Sequence, residues 1–438
     1  MANNVNAAPT KDRRVVLVDG CRTPFMRSNT VFADLTSYDL ARFVLKGLVT
    51  RTQLDKRQID KVIMGTVVSN ITTSNVARDA MLGAGYAETT PAYTVTQACI
   101  SANAAISNGF SLIRHGQAKT VVAGGTESLS DIPIRYRKRF RKKLIASQKF
   151  RSWLDYLKMF KGLRFSDLLP EIPSISEFAT GRTMGEDADL MAARFSISRK
   201  AQDEFAMRSH QQAALAEREG HLIQDIVPVV LPPGYQPMFE DNGIRADTNL
   251  SKLARLKPAF IKPFGTVSAG NASFLTDGSA VVLLMEEGHA QREGYKPLAY
   301  LVDDVFTAQD PYHELLLGPA YAIGQLLRKH NLSLSDIDVF EIHEAFAGQV
   351  LANLSCLNSA EWCGKNLGMD RAVGEVPLEK LNVWGGSLSL GHPFGATGAR
   401  LVHMAGRRLA HEKGKRALVA ACAAGGQGYG LLIHRFEN

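Results

Sequence analysis

The feature that most constrains the fold is an alternation of short β-branched runs with helical patterns of apolar residues along the 438-residue chain. Because strands that alternate with helices form buried and largely parallel sheets, this order predicts an α/β fold. The helical patterns in the first part of the chain are 38–52 and 100–114. The runs with the composition of buried strands are 15–18, 61–64, 120–123, 298–302, 339–342 and 417–421.

The first and last parts of the chain resemble each other. Gln58-Ile-Asp-Lys-Val62 and Ser335-Asp-Ile-Asp-Val339 each lead into a predicted strand. Lys119-Thr-Val-Val-Ala-Gly-Gly125 and Lys415-Arg-Ala-Leu-Val-Ala-Ala421 share a basic start, an apolar run and a small-residue end. The separations are similar, roughly 280 to 295 residues, as a duplicated unit would give. The pattern therefore predicts two similar α/β halves.

A less regular region with polar loops separates the two halves. We interpret it as an inserted loop domain or lid. The predicted organisation is an N-terminal half formed by 1–128 plus 269–292, an inserted domain at 129–268, and a C-terminal half at 293–438.

The positive charge is concentrated in one segment, residues 135–164, which has twelve Lys or Arg residues against a single acid although the whole chain is only +8. The pattern predicts a basic amphipathic helix suited to an anionic membrane surface or an acidic partner. A solvated helix packed on its own domain is the alternative, and nucleic acid ranks lower because no nucleic-acid module accompanies the segment. The apolar stripe comprises Phe150, Trp153, Leu154, Leu157, Phe160 and Leu163.

Composition excludes several other classes. The longest apolar stretch, 417–433, is interrupted by glycines, so we expect no membrane span. The first fourteen residues have basic side chains but no apolar stretch after them, which predicts no secretory signal. Five cysteines are too few, and odd in number, for a disulfide scaffold. We expect a cytoplasmic enzyme, with peripheral membrane contact through 135–164 as an open possibility.

Four residues stand where catalytic chemistry is expected. Cys99 precedes a helical run of small residues, where the helix dipole stabilises a thiolate, although a buried structural cysteine is the commoner case. His392 lies in the turn Gly391-His-Pro393, which presents an imidazole at a helix start. His343 follows a predicted strand, but Ala347 stands where a zinc-binding H-E-x-x-H motif needs its second histidine. Cys422 ends another predicted strand.

Two further cysteines, Cys356 and Cys363, lack a second ligand pair, and we expect no metal site.

Six motifs in order resemble the thiolase family from about residue 14 to the C-terminus. They are Gln97-Ala-Cys99, Val122-Ala-Gly-Gly-Thr-Glu127, Ser268-Ala-Gly-Asn-Ala-Ser273, His343-Glu-Ala-Phe346, Gly391-His-Pro393 and Cys422-Ala-Ala-Gly-Gly426. The resemblance implies a five-layer α/β/α/β/α sandwich of two similar halves. It also implies the activity of a 3-ketoacyl-CoA thiolase, an acetyl-CoA C-acyltransferase that cleaves 3-ketoacyl-CoA with CoA in the last step of fatty-acid β-oxidation.

The resemblance also assigns roles to individual residues. Cys99 would be the acyl-accepting nucleophile, His392 its base and an enolate ligand, Cys422 the proton donor and acceptor, and His343 a second enolate ligand. The backbone N–H groups of Cys99 and Ala424 would stabilise the tetrahedral oxyanion. CoA would be a co-substrate, with no permanently bound cofactor and no metal. Its pantetheine arm would pass the turn formed by Ser268, Ala269 and Gly270.

Two departures from the usual thiolase pattern are informative. His343 stands where thiolases commonly have Asn, and a long basic insert follows Glu127; both are similar to the β subunits of trifunctional fatty-acid-oxidation complexes, in their bacterial form. The resemblance implies a homodimer within a hetero-oligomer whose α subunit is an enoyl-CoA hydratase and 3-hydroxyacyl-CoA dehydrogenase. Ala423 and Ala424 replace a glycine of many relatives, which puts the local turn geometry in question.

Two alternatives remain at this point. A ketoacyl synthase-like condensing enzyme generally pairs its cysteine with two histidines, whereas here the third member resembles Cys422. A non-catalytic acyl-binding or scaffolding member is expected to lose Cys99, His392 or Cys422, and all three are present.

Overall fold

The computed structural model describes residues 13–171 and 176–437. Positions 1–12, 172–175 and 438 lie outside the described residues. They include parts of the predicted N-terminal half, inserted domain and C-terminal half, and most of the first fourteen residues, for which the sequence predicts no secretory signal.

The N-terminal half alternates strands with helices, as predicted. Its elements are β1 (Val15–Arg22), β2 (Met26–Arg27), α1 (Ser37–Thr52), β3 (Lys61–Gly65), α2 (Val76–Gly83), β4 (Ala92–Val95), α3 (Ser101–Arg114) and β5 (Thr120–Glu127). The region that follows is mainly short helices and two-residue strands. Its elements are β6 (Arg135–Tyr136), α4 (Lys138–Ala146), α5 (Trp153–Met159), α6 (Phe165–Leu168), β7 (Pro170–Glu171), α7 (Met184–Arg194), α8 (Arg199–Arg218), β8 (Val229–Val230), β9 (Pro237–Met238) and α9 (Leu250–Ala254).

The chain then returns to the first half and continues into the second. These elements are β10 (Thr276–Glu286), α10 (Glu287–Arg292), β11 (Ala299–Ala308), α11 (Gly318–Lys329), β12 (Val339–Ile342), α12 (Ala347–Leu357), α13 (Ala360–Leu367), α14 (Ser387–Leu390), α15 (Thr397–Glu412), β13 (Arg416–Ala423) and β14 (Gln427–Arg435). Short 3-10 turns occur at Lys56–Gln58, Ser147–Lys149, Ile223–Asp225, Leu334–Asp336 and Leu378–Lys380.

Both halves build their sheets in the same order. In the first half β4, β3 and β5 are parallel neighbours, and β10 pairs antiparallel with β5 and β1. In the second half β12 and β13 are parallel, and β14 pairs antiparallel with β13 and β11. An antiparallel pairing of β1 with β11 joins the two sheets at one edge.

The duplication extends to individual hydrogen bonds. The Asp60 carboxylate accepts bonds from the backbone N–H groups of Lys119 and Thr120, at 2.6 and 2.9 Å. The Asp338 carboxylate accepts the same pair from Lys415 and Arg416, at 2.6 and 3.1 Å. Asp60 immediately precedes β3 and holds the start of the neighbouring strand β5. Asp338 immediately precedes β12 and holds the start of β13 in the same way. These matched contacts support the predicted internal repeat.

The helices and sheets form five layers. Helices α1 and α2 pack on the outer face of the first sheet, around Leu45 and Met64. Helices α3 and α15 lie between the two sheets, in a shared core that includes Ile106 and Leu401. Helices α11 and α12 cover the outer face of the second sheet, around Phe340. The α/β/α/β/α arrangement confirms the predicted fold.

The basic segment differs from its prediction. The apolar stripe is not one amphipathic helix, because α5 begins at Trp153, where Ser152 and Asp155 form a capping box. Phe150 lies before that helix and Leu163 lies after it. The packed-helix alternative is wrong as well, since Trp153 is 70% exposed and Leu157 is 59% exposed. Among the described residues, no helix has the length and apolarity required to cross a bilayer.

Candidate active site

Cys99 lies in a strained turn between β4 and α3. The preceding residue, Ala98, has a φ of +46°, a conformation that costs a non-glycine residue energy and persists only where surrounding contacts enforce it. The Ser101 hydroxyl provides two such contacts, because it donates to the Ala98 carbonyl at 2.7 Å and accepts from the Gln97 N–H at 2.8 Å. The turn holds the cysteine at the start of α3, as predicted from the small-residue run.

His392 lies at the matching position of the second half, just before α15. Gly391 has a φ of +98°, which favours glycine, and the His392 N–H donates to the Thr276 hydroxyl at 3.0 Å. The loop approaches β5 closely: a Cβ on Gly125 would lie 1.8 Å from the Gly395 carbonyl oxygen. This close approach explains why the motif Val122-Ala-Gly-Gly-Thr-Glu127 needs glycine at this position.

Cys422 is the last residue but one of β13, and the three predicted reactive residues line one cavity of about 600 Å³. Cys99, His392 and Cys422 come to it from three different parts of the chain, and Ala424 lines the same wall. Most other wall residues are apolar. They include Val67, Met184, Ala259, Phe260, Phe274, Leu275, Leu316, Phe346 and Phe394.

Burial controls the protonation of these groups. It raises the pKa of the Cys99 thiol to about 12, although backbone N–H bonds from Ala424 and from Cys99 itself lower it. It also raises the pKa of Cys422, with the nearby Cys99 adding to the effect. Burial and the Arg400 charge lower the pKa of His392 to about 3. The resting pair is therefore a neutral thiol and a neutral imidazole, and the expected dipole-stabilised thiolate at Cys99 is outweighed by desolvation.

His343 lies behind His392 and does not contribute to the cavity wall. The two imidazole rings are in contact, with centroids 4.1 Å apart. Its Nδ1 atom lies 3.0 Å from the Ser387 hydroxyl, and its Nε2 atom is buried without a hydrogen-bond partner among the described residues. Burial, together with the neighbouring His392 and Arg400, holds the pKa of His343 well below its usual range. The ring is neutral.

Two of the three residues predicted to contact CoA lie in the cavity wall. Ser268 and Ala269 line the cavity, whereas Gly270 does not. A Cβ on Gly270 would lie 2.5 Å from Leu253 and 2.6 Å from Leu256, so this residue is needed for packing against α9 and its C-terminal end. The contact with CoA predicted for all three residues remains a prediction.

The sequence reasoning assigned no role to Glu127, which is fully buried beside the cavity. Its carboxyl group accepts bonds from the N–H groups of Val67, Val68 and Gly395, at 3.0, 2.9 and 2.8 Å. It thereby connects the loop after β3 to the loop that contains His392. Burial raises the pKa of Glu127 to about 7 despite these bonds. Its position at the end of β5, two residues after a pair of glycines, was the available signal.

Other residues of the wall were also missed. Thr183, Met184 and Gly185, at the start of α7, come from the region between the two halves. Arg27 is the one Lys or Arg in the wall, and its guanidinium lies 4.0 Å from the centre of the Phe274 ring. Among the described residues, no group of three or more His, Cys, Asp or Glu side chains is placed to hold a metal ion.

Comparisons with known proteins agree across the whole chain. Models described as the thiolase N-terminal domain and the thiolase C-terminal domain match residues 15–288 and 295–435. The chain is 52% identical over 427 residues to the mitochondrial trifunctional enzyme subunit beta of Bos taurus, covering 97% of this chain and 89% of that protein. It is 40% identical to a 3-ketoacyl-CoA thiolase of Yersinia pestis (strain Pestoides F), covering 96% of each chain.

The structural likeness is equally extensive. The crystal structure of human mitochondrial 3-ketoacyl-CoA thiolase in complex with CoA superimposes with a TM-score of 0.81 at 30% identity, covering 97% of this chain and 98% of that one. Two thiolase domain models match the chain, and its fold matches that of a thiolase over nearly the full length. This chain belongs to the thiolase family.

Proposed function

We propose that this chain cleaves 3-ketoacyl-CoA with CoA, releasing acetyl-CoA and an acyl-CoA two carbons shorter. The observation that carries the proposal is that Cys99, His392 and Cys422 line a single cavity. A nucleophilic thiol, a neutral imidazole and a second thiol are the groups that a covalent acyl transfer with carbon–carbon cleavage requires. Relatives over nearly the full chain are named 3-ketoacyl-CoA thiolase, which supports the same reaction.

In the first half-reaction His392 takes the proton of the Cys99 thiol, and the sulfur attacks the 3-keto carbon. The bond between C2 and C3 then breaks, leaving the acyl group on Cys99 and the electron pair on the enolate of acetyl-CoA. Cys422 gives its proton to C2 and becomes a thiolate. This carbanion can form because the thioester carbonyl delocalises its negative charge onto the enolate oxygen. His392, now protonated, and His343 would stabilise that oxygen.

In the second half-reaction the Cys422 thiolate takes the proton of an incoming CoA thiol. The CoA sulfur attacks the thioester carbon, and the resulting oxyanion is stabilised by the backbone N–H groups of Cys99 and Ala424. The same two N–H groups lower the pKa of the Cys99 thiol. Cys99 leaves as a thiolate and recovers its proton from His392, which returns the site to its neutral state.

The cavity wall supports an acyl substrate of medium or long chain. Four phenylalanine residues are part of the wall of the cavity of about 600 Å³, and Arg27, which lies against the Phe274 ring, offers a cation for a CoA phosphate. The aromatic residues are Phe260, Phe274, Phe346 and Phe394.

The test is CoA-dependent cleavage of a long 3-ketoacyl-CoA by the purified chain beside Cys99→Ser and Cys422→Ala. We expect activity in the native chain and its loss in both variants. Inactivity of a folded native chain, both alone and with an added hydratase/dehydrogenase subunit, would contradict the proposal. Activity only with that subunit would support the proposed hetero-oligomer, a partner consistent with relatives named trifunctional enzyme subunit beta.

We also propose that the basic segment 135–164 binds an anionic membrane surface. Twelve basic residues accompany exposed apolar side chains, among them Trp153, and neighbouring Phe165 is 78% exposed. Cations attract acidic headgroups and exposed aromatic rings insert at the interface, so the combination fits a lipid surface better than bulk solvent. An acidic face of the α subunit is the competing partner, and the two are separated by the vesicle experiment described in the Discussion.

A further inference from the structure

A chain of three buried polar side chains runs from α15 to His343. The Arg400 guanidinium donates to the Ser387 hydroxyl at 3.0 Å, and that hydroxyl lies 3.0 Å from Nδ1 of His343. Arg400 is 2% exposed, and the other two residues have no exposed surface. Because all three are removed from water, the Ser387 hydroxyl proton is expected to go to an acceptor within the protein.

The positions of these protons follow from the chemistry of the groups. A guanidinium can only donate, so the Ser387 oxygen must accept from Arg400 and its own proton must go elsewhere. Among the described residues, the other polar atom within hydrogen-bond distance of that hydroxyl is Nδ1 of His343, which can accept the proton. We infer that Ser387, itself held by Arg400, is a positioning residue that fixes His343 in the tautomer with its proton on Nε2. His343 can then only donate from the atom that faces away from Ser387.

His392 has the opposite arrangement. Its Nδ1 lies 2.7 Å from the Thr397 hydroxyl, and that hydroxyl has the Pro393 carbonyl as an acceptor at 3.0 Å. The Thr397 oxygen can therefore accept a proton from Nδ1, which leaves Nε2 of His392 bare and basic. The two adjacent imidazoles thus carry protons on different nitrogens, one suited to accept the Cys99 proton and the other to donate to an oxygen.

The unpartnered Nε2 of His343 gives this arrangement a function. Nε2 of His343 has no hydrogen-bond partner among the described residues, and its ring lies against that of His392, which lines the cavity, so a substrate oxygen or a water that reaches this atom would accept the bond. Within the proposed reaction, on which this inference rests, that oxygen is the enolate oxygen of the leaving acetyl-CoA. Arg400 contributes a second effect, since its positive charge disfavours protonation of either imidazole and keeps both neutral.

The direct test is nitrogen-15 NMR of the full chain labelled at histidine, with His343→Asn and His392→Asn used to assign the two rings. We expect Nε2 protonated and Nδ1 bare in His343, and the reverse in His392. Finding His343 with its proton on Nδ1 would overturn the inference. This measurement does not depend on turnover, so an inactive chain with the expected tautomers would contradict the proposed function alone.

Kinetics of Ser387→Ala provide the second test, with Ser389→Ala as the matched control. Ser389 lies on the same short helix and is equally buried, but its hydroxyl donates to the Gly386 carbonyl. We expect Ser387→Ala to lower kcat about tenfold to a hundredfold with little change in KM, and to broaden the His343 tautomer signal, because one oxyanion donor is no longer held in place. Equal kcat in the two variants would overturn the role of Ser387.

Discussion

The two halves of the molecule share a framework but supply different chemistry. Strands β5 and β13 occupy equivalent places and begin with the same paired hydrogen bonds to an aspartate, yet they lead to Glu127 and to Cys422. Helices α3 and α15 both lie in the central layer, and both follow a reactive side chain, Cys99 in one half and His392 in the other.

The difference shows how a duplicated fold can build an asymmetric site. Strand starts, far from the cavity, retain equivalent contacts because they secure the sheets. Strand ends and helix starts meet at the cavity, where each half is free to present a different group. The first half provides the nucleophile and a carboxyl that holds two loops together. The second half provides the base, the second thiol and the buried histidine.

The largest effect is expected for the group from the first half. Cys99→Ser should lower kcat about a thousandfold or more, because a hydroxyl is a far weaker nucleophile than a thiol with the same base. Steady-state thiolysis checks this, with circular dichroism to show that the variant folds. A variant with more than a tenth of native activity would place the nucleophile elsewhere.

Its counterpart from the second half should be nearly as important. Cys422→Ala removes the proton donor of the first half-reaction and the base of the second, and a general acid–base group contributes about a hundredfold to ten-thousandfold. The rate of acetyl-CoA release in a single turnover measures the first step alone. If that release kept its native rate, Cys422 would not be the acid that protonates the enolate.

The pH dependence of alkylation distinguishes the two thiols. With the pKa of Cys99 raised to about 12, its thiolate fraction, and hence its alkylation rate by iodoacetamide, should rise about tenfold for each pH unit between 7 and 9. Cys422 is fully buried and should react more slowly at every pH. Peptide mapping by mass spectrometry follows both. A plateau for Cys99 across this range would indicate a preformed thiolate–imidazolium pair and contradict the neutral resting state.

A smaller effect, on stability and equal in size in the two halves, is expected at the matching aspartate contacts of β5 and β13. Asp60→Ala and Asp338→Ala each remove an acceptor from two backbone N–H groups and should each lower the free energy of unfolding by about 1–2 kcal/mol, without changing kcat. Chemical denaturation measures both variants under one condition. Loss of stability in only one of them would show that the two halves no longer depend on the same contact.

The smallest effect on catalysis is expected outside both halves. Changing Arg137, Lys138, Arg141 and Lys142 to Gln removes exposed charge from segment 135–164 and avoids Arg139 and Lys143, which contact Asp167 and the Met159 carbonyl. We expect kcat to stay within about twofold while salt-sensitive binding to phosphatidylglycerol vesicles falls.

The matched control carries the same charge loss at exposed lysines elsewhere, through Gln at Lys46, Lys119, Lys365 and Lys413. Equal vesicle binding by both variants would contradict membrane docking. A loss of co-purification with the hydratase/dehydrogenase subunit, with vesicle binding unchanged, would assign the segment to that partner instead.

Much of the framework could be predicted because it depends on local pattern. Strand β12 was predicted with its observed bounds, and helices α1 and α3 to within one residue, since buried apolar runs and apolar helical spacing are read directly from sequence. In the stretch 417–433 the sequence predicts one strand, 417–421, and the structure has two antiparallel strands there, β13 and β14. The glycines of this stretch form the connecting turn, where Gly425 and Gly426 have positive φ.

The remaining features depend on contacts that no local pattern contains. The regular spacing of apolar residues over 150–163 favoured one helix. In the structure the helix begins only at Trp153, after the capping box formed by Ser152. The protonation of Cys99 is set by desolvation from distant segments, and the helix dipole visible in the sequence is the weaker effect. The bond from Ser387 to His343 joins residues 44 positions apart, so its consequence for the tautomer could not be anticipated.

The central claim is that one covalent intermediate forms on the first half and is released by groups of the second half. Intact-protein mass spectrometry after mixing the native chain with a 3-ketoacyl-CoA, in the absence of free CoA, tests it most directly. The account predicts one acyl group per chain, mapped to Cys99, with one equivalent of acetyl-CoA released and the acyl group lost when CoA is added. An adduct on Cys422, or acetyl-CoA formation without any adduct, would contradict it.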